Sequence, residues 1–148
     1  MSRTRQVSDS IVIAAPADRI FDILADPRQH SRIDGSGTVR GVVTGPDRLS
    51  QGARFGMRMR MGAPYRVTNI VLEFEPDRQI AWRHAGRHVW RYELTPEQDG
   101  TRVTETFDWS PAPLRALLDH SWIPRSNARA ILATLRRLKK VVEEGRVE

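Results

Sequence analysis

The hydrophobic pattern is most regular near the C-terminus, between Ser121 and Gly145. Apolar side chains recur there at intervals of three and four residues, at Ala128, Ile131, Leu132, Leu135, Leu138 and Val142. This spacing places them along one stripe of an α-helix, with the charged residues largely outside the stripe. The pattern predicts a helix from about Trp122 to Glu144, with Ser121 as its N-cap and Gly145 as the glycine that follows its last turn.

Most of the chain before this helix alternates apolar and polar residues with the period of two that is typical of β-strands. The clearest case is Ala53–Met61, where one phenylalanine and three methionines alternate mostly with arginines. The alternation predicts strands at or near Val7–Ala14, Thr38–Thr44, Ala53–Met61, Tyr65–Glu75, Gln79–His84, His88–Leu94 and Thr101–Trp109. Short turns such as Gly86-Arg87 join neighbouring strands, so most of the strands should pair antiparallel.

Short helical segments complete the predicted order of elements. Asp18–Ala25 carries apolar residues at helical spacing, and Asp26-Pro27 ends it because the residue before proline avoids the helical conformation. Arg28–Ile33 predicts a further helical turn, and three leucines within Leu114–Leu118 predict a short helix before the long one. The chain is therefore predicted to be an α+β protein, with a six- or seven-stranded curved antiparallel sheet wrapped around a long C-terminal helix and two short helices after the first strand.

Composition narrows the class of protein. The 148 residues are predicted to form one domain, 1–148, since no linker or repeat divides them. The absence of cysteine excludes disulfides and thiolate metal sites. No apolar run reaches the ~18 residues of a membrane span, and no signal-peptide segment follows Met1–Arg5. We therefore expect a soluble cytoplasmic protein.

The charge is strongly basic, with a net charge of +6 and 22 arginines among the 24 basic residues. Such a balance is compatible with an interaction module that uses a basic outer surface to bind nucleic acid or an acidic partner. The arginines are dispersed and form no run longer than two, a distribution that favours solvated strand faces over a nucleic-acid site. A homodimer is compatible with the sequence, which does not determine the oligomeric state.

Local motifs add a resemblance to a known family. The first strand enters the first helix through Ile11–Asp18, and Asp26-Pro27 ends that helix. Residues Glu75–Trp82 follow the pattern Glu-Pro-x-Arg-x-Ile-x-Trp, and the long helix closes the chain. This arrangement resembles the START-like helix-grip (SRPBCC) superfamily, in its polyketide cyclase/dehydrase and lipid-transport branch. The resemblance implies a cavity for an apolar small molecule between sheet and helix, in a group that includes carriers, cyclases, dehydratases and aromatases.

Alternation in the last three strands predicts which residues face the helix, because bulky side chains fall on one face of each strand. The predicted inward set is Ile80, Trp82 and His84; His88, Trp90, Tyr92 and Leu94; and Val103, Glu105, Phe107 and Trp109. Four members are polar and must be paired or hydrated if they are buried. A mostly apolar enclosure with a few polar groups is typical of a small-molecule pocket; a plain core whose polar members satisfy one another is the alternative.

We predict a ligand site from this inward set, from the apolar face of Ala53–Met61 and from the apolar stripe of the C-terminal helix. Its residues are Phe55, Met57, Met59, Trp82, His84, Trp90, Tyr92, Glu105, Phe107, Leu132 and Leu135. Aromatic walls favour a flat or polycyclic guest, while methionines serve equally as core fillers and as adaptable ligand contacts. The expected function is the binding, as carrier or sequestering protein, of an apolar molecule that is aromatic or acyl in character.

An enzyme of the cyclase or dehydratase type is the alternative function. Glu105 and His84 are candidates for an acid/base couple, and Tyr92 for a donor to a substrate carbonyl. His84 and His88 lie at the end of a hairpin, however, and such positions favour exposed or rim residues over catalysts. Whether any reaction is catalysed stays open.

The remaining polar motifs predict no further site. Asp119, His120 and Ser121 are adjacent in sequence, but Ser/His/Asp triads are defined by spatial geometry, so we interpret this trio as helix-cap residues. The four histidines lack the spacing of a metal site, although His84 and His88 lie close in sequence. No glycine-rich phosphate loop follows a strand. We therefore expect no metal and no cofactor.

Overall fold

The computed structural model describes residues 4–84 and 87–144. The predicted turn residue Gly86 and the predicted helix-terminal Gly145 lie outside the described residues. The elements are β1 (Gln6–Ile13), α1 (Ala17–Leu24), a 3₁₀ turn (Pro27–Gln29), α2 (His30–Ile33), β2 (Val39–Thr44), β3 (Arg54–Met61), β4 (Ala63–Glu75), β5 (Gln79–Arg83), β6 (Val89–Glu97), β7 (Gly100–Asp108), α3 (Arg115–Asp119) and α4 (Ile123–Glu143).

The strands form a seven-stranded sheet in the order β1-β7-β6-β5-β4-β3-β2, and every neighbouring pair is antiparallel. From β2 to β7 the neighbours in the sheet are also neighbours in sequence, as short turns require. The first strand closes the order by pairing with the last, Gln6 opposite Asp108 and Ile13 opposite Thr101. The predicted helix-grip fold is confirmed.

Strand β4 begins two residues earlier than predicted, and the conformation of Gly62 explains the difference. The strand predicted to begin at Tyr65 begins at Ala63, because Gly62 turns the chain alone and Pro64 is already the register partner of Arg60. Gly62 adopts a φ of 74°, a left-handed conformation that glycine reaches without a steric cost.

Helix α4 runs across β1 and β7, and its buried residues are Ile131, Thr134, Leu135, Leu138 and Val142. Its C-terminal half is tied to β1: the Lys139 ammonium donates to the Val12 carbonyl oxygen at 3.1 Å, and Glu143 accepts the Ala14 N–H at 2.8 Å. The helix thus rests on the β1 edge of the sheet through both apolar packing and hydrogen bonds.

The predicted N-cap of α4 is wrong by one residue. Trp122 occupies the N-cap position without a side-chain cap. The Ser121 hydroxyl instead donates to the Leu118 carbonyl oxygen at 2.9 Å and accepts the Ile123 N–H at 3.2 Å. Serine therefore joins α3 to α4 across a tight corner, where it serves both helices.

Asp119 also differs from its predicted role as a cap residue. Its carboxylate accepts the Trp109 indole N–H at 2.8 Å and forms an ion pair with Arg5 at 2.9 Å. The two donors lie just beyond the ends of β7 and β1, so the carboxylate fastens α3 to that end of the sheet. Trp109 is itself buried, as the alternation predicts.

The segment after α2 is fixed against α4. The Gly35 N–H donates to the Thr134 hydroxyl at 2.8 Å, and the Arg137 guanidinium donates to the Asp34 carbonyl oxygen at 2.5 Å. A Cβ at Gly35 would lie 2.5 Å from the Ala133 Cβ. Only glycine therefore lets the backbone come this close to the helix. This contact places the segment after α2 directly against α4.

Candidate functional site

A cavity of about 720 Å³ lies between the concave face of the sheet, the segment after α2 and the N-terminal half of α4. Its wall on the sheet side carries the apolar faces of β3, β4, β5, β6 and β7. Its wall on the helix side includes Ile123, Arg129 and Ile131, but most of it consists of the short or polar side chains of Ser126, Asn127, Ala130, Ala133 and Thr134. Because these helix side chains are short, α4 leaves space in front of the sheet instead of filling it.

Nine of the eleven predicted ligand residues line this cavity, namely Phe55, Met57, Met59, Trp82, His84, Trp90, Tyr92, Glu105 and Phe107. Leu132 and Leu135 do not, and the prediction that they line the cavity is wrong. Leu135 is fully buried in the core, and Leu132 is half-buried away from the cavity. Leu135 and Leu138 of α4 belong to the core, while mainly shorter residues of the helix face the cavity.

Trp82 stands at the centre of the aromatic wall. Its ring stacks on His30 at 4.8 Å and 18°, meets Phe55 edge-on at 5.7 Å, and lies 5.6 Å from the Tyr92 ring. These spacings fall in the range of favourable aromatic pairs, each worth about 0.5–1.5 kcal/mol beyond area burial. The wall is therefore held in place by its own contacts before any guest arrives.

Glu105 and Tyr92 are register partners on β7 and β6, and their side chains are 3% and 4% exposed. The two side chains are joined by a hydrogen bond, while the Glu105 Oε1 atom has no partner among the described residues. Burial, helped by the negative charge of Asp34 and opposed by the Tyr92 hydrogen bond, raises the pKa of Glu105 to about 8. Burial and the neighbouring Glu105 also raise the pKa of Tyr92 well above its usual value. At pH 7 both groups are mostly protonated.

The two histidines of the β5–β6 hairpin stack on each other at 4.9 Å, and His88 lies 5.2 Å from the Phe107 ring. Both are half-buried and line the cavity. Burial lowers the pKa of His84 to about 3, with a smaller contribution from His88, whose own pKa burial also lowers. At neutral pH this end of the cavity holds two uncharged imidazoles.

The predicted couple of Glu105 with His84 is not formed. The row Trp82, Trp90 and Phe107 crosses the sheet between the two residues, and no hydrogen bond joins them in the described part of the chain. Glu105 is paired with Tyr92 instead. The strand register explains the outcome, because Tyr92 lies directly opposite Glu105, whereas His84 lies beyond the tryptophan row.

Sequence reasoning missed several polar residues of the cavity wall, among them His30 and Asn69. His30 is 7% exposed, donates from Nε2 to the Leu24 carbonyl oxygen at 2.9 Å, and has a pKa that burial lowers. Asn69 is 2% exposed, and its Oδ1 atom finds no hydrogen-bond partner in the part of the chain that the structure describes. The alternation of β4 would have identified Asn69, which lies between the apolar residues Val67 and Val71 on the same face. No comparable signal marks His30.

Three exposed apolar side chains belong to the cavity lining and mark its opening. They are Met61 and Tyr65, near the tip of the β3–β4 hairpin, and Trp122 at the start of α4, exposed by 55%, 40% and 62%. A guest would thus enter between that hairpin and the α3–α4 corner.

The described residues contain no group of three His, Asp or Glu side chains arranged to hold a metal ion. Nor does any described helix combine the length and the apolarity that crossing a bilayer demands.

Comparison with known proteins identifies relatives in sequence. The family described as "Polyketide cyclase / dehydrase and lipid transport" matches residues 4–143. The Mycobacterium tuberculosis H37Rv protein named "Uncharacterized protein Rv0088" is 41% identical over 149 residues, a match that covers 95% of this chain and 66% of that protein. The chain therefore spans slightly less than two thirds of the length of this relative.

Solved structures show the same fold at lower identity. Protein Ms6760 from Mycobacterium smegmatis superposes with a TM-score of 0.75 at 18% identity, covering 97% of this chain and 94% of that one. The AHSA1-like protein from Aeromonas hydrophila gives a TM-score of 0.71 at 19% identity, covering 95% and 93%.

Proposed function

The chain belongs to the polyketide cyclase/dehydrase and lipid transport family, and from that premise we propose that it binds an apolar small molecule, aromatic or acyl in character, as a carrier or sequestering protein. The guest occupies the cavity between the sheet and α4. Its contacts are Phe55, Met57, Met59, Trp82, His84, Trp90, Tyr92, Glu105 and Phe107.

The size of the cavity is the observation that carries this proposal. Protein interiors are close-packed, and voids much larger than a water molecule are rare. A space of about 720 Å³ is within the range of ligand pockets, roughly 300–1,000 Å³, and far exceeds a packing defect. Its wall is mainly apolar, with a few polar groups, which is the composition that holds and orients an apolar guest.

A neutral fluorescent probe, N-phenyl-1-naphthylamine, tests the proposal directly. We expect saturable binding with enhanced probe fluorescence in the wild type, and loss of that enhancement in Ala130→Trp. Ala130 lines the cavity from α4, so an indole there fills the space a guest needs. Arg136→Trp adds the same side chain to an exposed position of the same helix and should leave binding unchanged. Equal binding by both variants would place the probe elsewhere and contradict the proposal.

Native mass spectrometry of freshly purified protein addresses the natural guest. A bound mass that organic extraction releases, and that Ala130→Trp no longer retains, would identify the compound carried. A bound mass that persists in Ala130→Trp would count against the cavity as its site.

The neutral carboxyl of Glu105 favours a second candidate, an enzyme that eliminates water from a β-hydroxyketone. A protonated carboxyl can act as general acid toward the departing hydroxyl group of the β-carbon. A base meanwhile removes a proton from the α-carbon, which lies between the β-carbon and the carbonyl. The products are water and a conjugated enone. With 4-hydroxy-4-phenylbutan-2-one as the probe, we expect Glu105→Gln to abolish any turnover above background. Unchanged turnover in the variant, or none in the wild type, removes this candidate.

A further inference from the structure

We propose that the Glu105–Tyr92 pair donates a hydrogen bond to a carbonyl oxygen of the bound molecule, so that the guest is a neutral, flat aromatic ketone or quinone. This inference rests on the proposed function and specifies the chemistry of its ligand. It concerns one point of the cavity wall, where β6 and β7 lie side by side.

The pair is isolated from positive charge. No lysine, arginine or histidine in the described part of the chain forms an ion pair or hydrogen bond with Glu105. Arg129, a cation of the cavity lining, is exposed on α4. The other charged neighbours are acidic: Asp34 follows α2, and Asp9 is the β1 register partner of Glu105. Asp9 is exposed, and its carboxylate accepts the Ser10 N–H at 2.8 Å. A buried carboxyl in such surroundings keeps its proton, because no cation there offsets the cost of burying its anion and the Tyr92 hydrogen bond offsets that cost only in part.

A count of protons shows what the pair offers to a guest. A neutral carboxyl has one O–H donor and a phenol has one, and the hydrogen bond between them uses only one of the two. The other O–H remains, and both residues line the cavity. An ionised Glu105 would instead accept the only proton of the pair from Tyr92, and no donor would remain. The unpartnered Oε1 atom of Glu105 is the atom at which a complementary group is missing.

The surroundings of the pair narrow the class of guest further. The row of Trp82, Trp90 and Phe107 adjoins Tyr92 and Glu105 on the same face of the sheet, and aromatic walls favour flat rings. The imidazoles beyond this row are uncharged, so neither they nor the pair offers a positive charge to hold a carboxylate. A carbonyl oxygen on an aromatic ring system accepts the free proton without bringing a charge into the cavity.

Fluorenone and fluorene form a matched pair of probes, since the rings are the same and only the ketone carries the acceptor. Affinities are measured by quenching of tryptophan fluorescence, with the ketone-to-hydrocarbon affinity ratio as the readout. We expect that ratio to fall about five- to tenfold in Glu105→Leu, the effect of one hydrogen bond. Glu105→Gln should keep the ratio, because an amide also donates. Glu93→Gln, an exposed change on the neighbouring strand, is the matched control.

Infrared spectroscopy reports on the hydrogen bond to the carbonyl directly and does not require the Glu105→Leu variant. The carbonyl stretch of bound fluorenone should move to lower wavenumber in the wild type and in Glu105→Gln than in a hydrocarbon solvent. An unshifted stretch would show that no hydrogen bond reaches the carbonyl oxygen, and an affinity ratio that rises in Glu105→Gln above the wild type would show that Glu105 is an anion. Either result overturns the inference. Failure of both probes to bind would instead refute the proposed function itself.

Discussion

At the scale of single residues, the buried carboxyl of Glu105 dominates the chemistry of the cavity. Strand alternation in the sequence places this residue and most of its neighbours on the concave face, and the structure brings them together there. The protonation of Glu105 could not be predicted in the same way, because it depends on how completely the carboxyl is buried and on the lack of a cation nearby. Both are properties of the strand register and of α4, which no local pattern encodes.

Glu105→Gln tests this protonation through stability. The pKa of Glu105 is about 8 in the folded chain against an ordinary value of 4.5, so between these values the unfolded chain releases a proton that the folded chain retains. Folding stability therefore falls as pH rises through this window, by up to about 1.4 kcal/mol per pH unit. Glutamine has no proton to release, so Glu105→Gln should not show this loss of stability with rising pH. Urea unfolding at pH 5 and pH 8.5 should show the variant gaining stability relative to the wild type at the higher pH.

The comparison of wild type with Glu105→Gln separates the effect of Glu105 on stability from the effect of the histidines. The lowered pKa of His84, about 3 against an ordinary 6.5, makes stability rise with pH between these values, and it does so equally in both proteins. A stability difference between wild type and Glu105→Gln that stays constant from pH 5 to pH 8.5 would show that Glu105 ionises normally.

Tyr92→Phe is predicted to raise the pKa of Glu105 further. The Tyr92 hydrogen bond lowers that pKa by favouring the carboxylate, and phenylalanine removes the bond while it keeps the ring. The measurement is the ¹³C chemical shift of the Glu105 carboxyl across a pH titration. A titration midpoint that moves downward in the variant would mean that the hydroxyl does not contact the carboxyl.

At the scale of elements, the long helix combines two surfaces that the hydrophobic stripe alone does not separate. Leu135 and its neighbours pack on β1 and β7, while Ala130, Ala133 and Thr134 face the cavity. The stripe predicted where the helix lies and which residues are apolar. It could not predict the empty space, because that space lies in front of short side chains of the helix, and the spacing of apolar residues carries no information about it.

Thr134→Val is predicted to loosen this loop contact. Valine preserves the shape of the side chain but removes the hydroxyl that accepts the Gly35 N–H, so a part-buried donor loses its partner. We expect a loss of about 1–2 kcal/mol in the free energy of unfolding, measured with urea. Thr134→Ser, which keeps the hydroxyl, should recover most of this loss. Equal destabilisation by serine and valine would assign the effect to packing rather than to the hydrogen bond.

At the scale of the whole molecule, the order of the elements determined most of what could be predicted. Strands joined by short turns pair antiparallel with their neighbours, and one long amphipathic helix can hide its stripe only against the resulting sheet. The sequence therefore predicted the fold and most of the cavity wall on the sheet side. The single domain over 1–148 stays a prediction, as do the cytoplasmic location and the homodimer.

The central claim is that an apolar guest binds between the sheet and α4, and methionine methyl groups report on it most directly. Met57 and Met59 line the cavity and are only 2% and 6% exposed. In protein labelled with ¹³C at the methionine methyls and assigned by Met→Leu substitution, saturating fluorene should shift both signals and give nuclear Overhauser contacts from both methyls to its ring protons. Fluorene that binds while both methyl signals stay in place and show no such contacts would contradict the account.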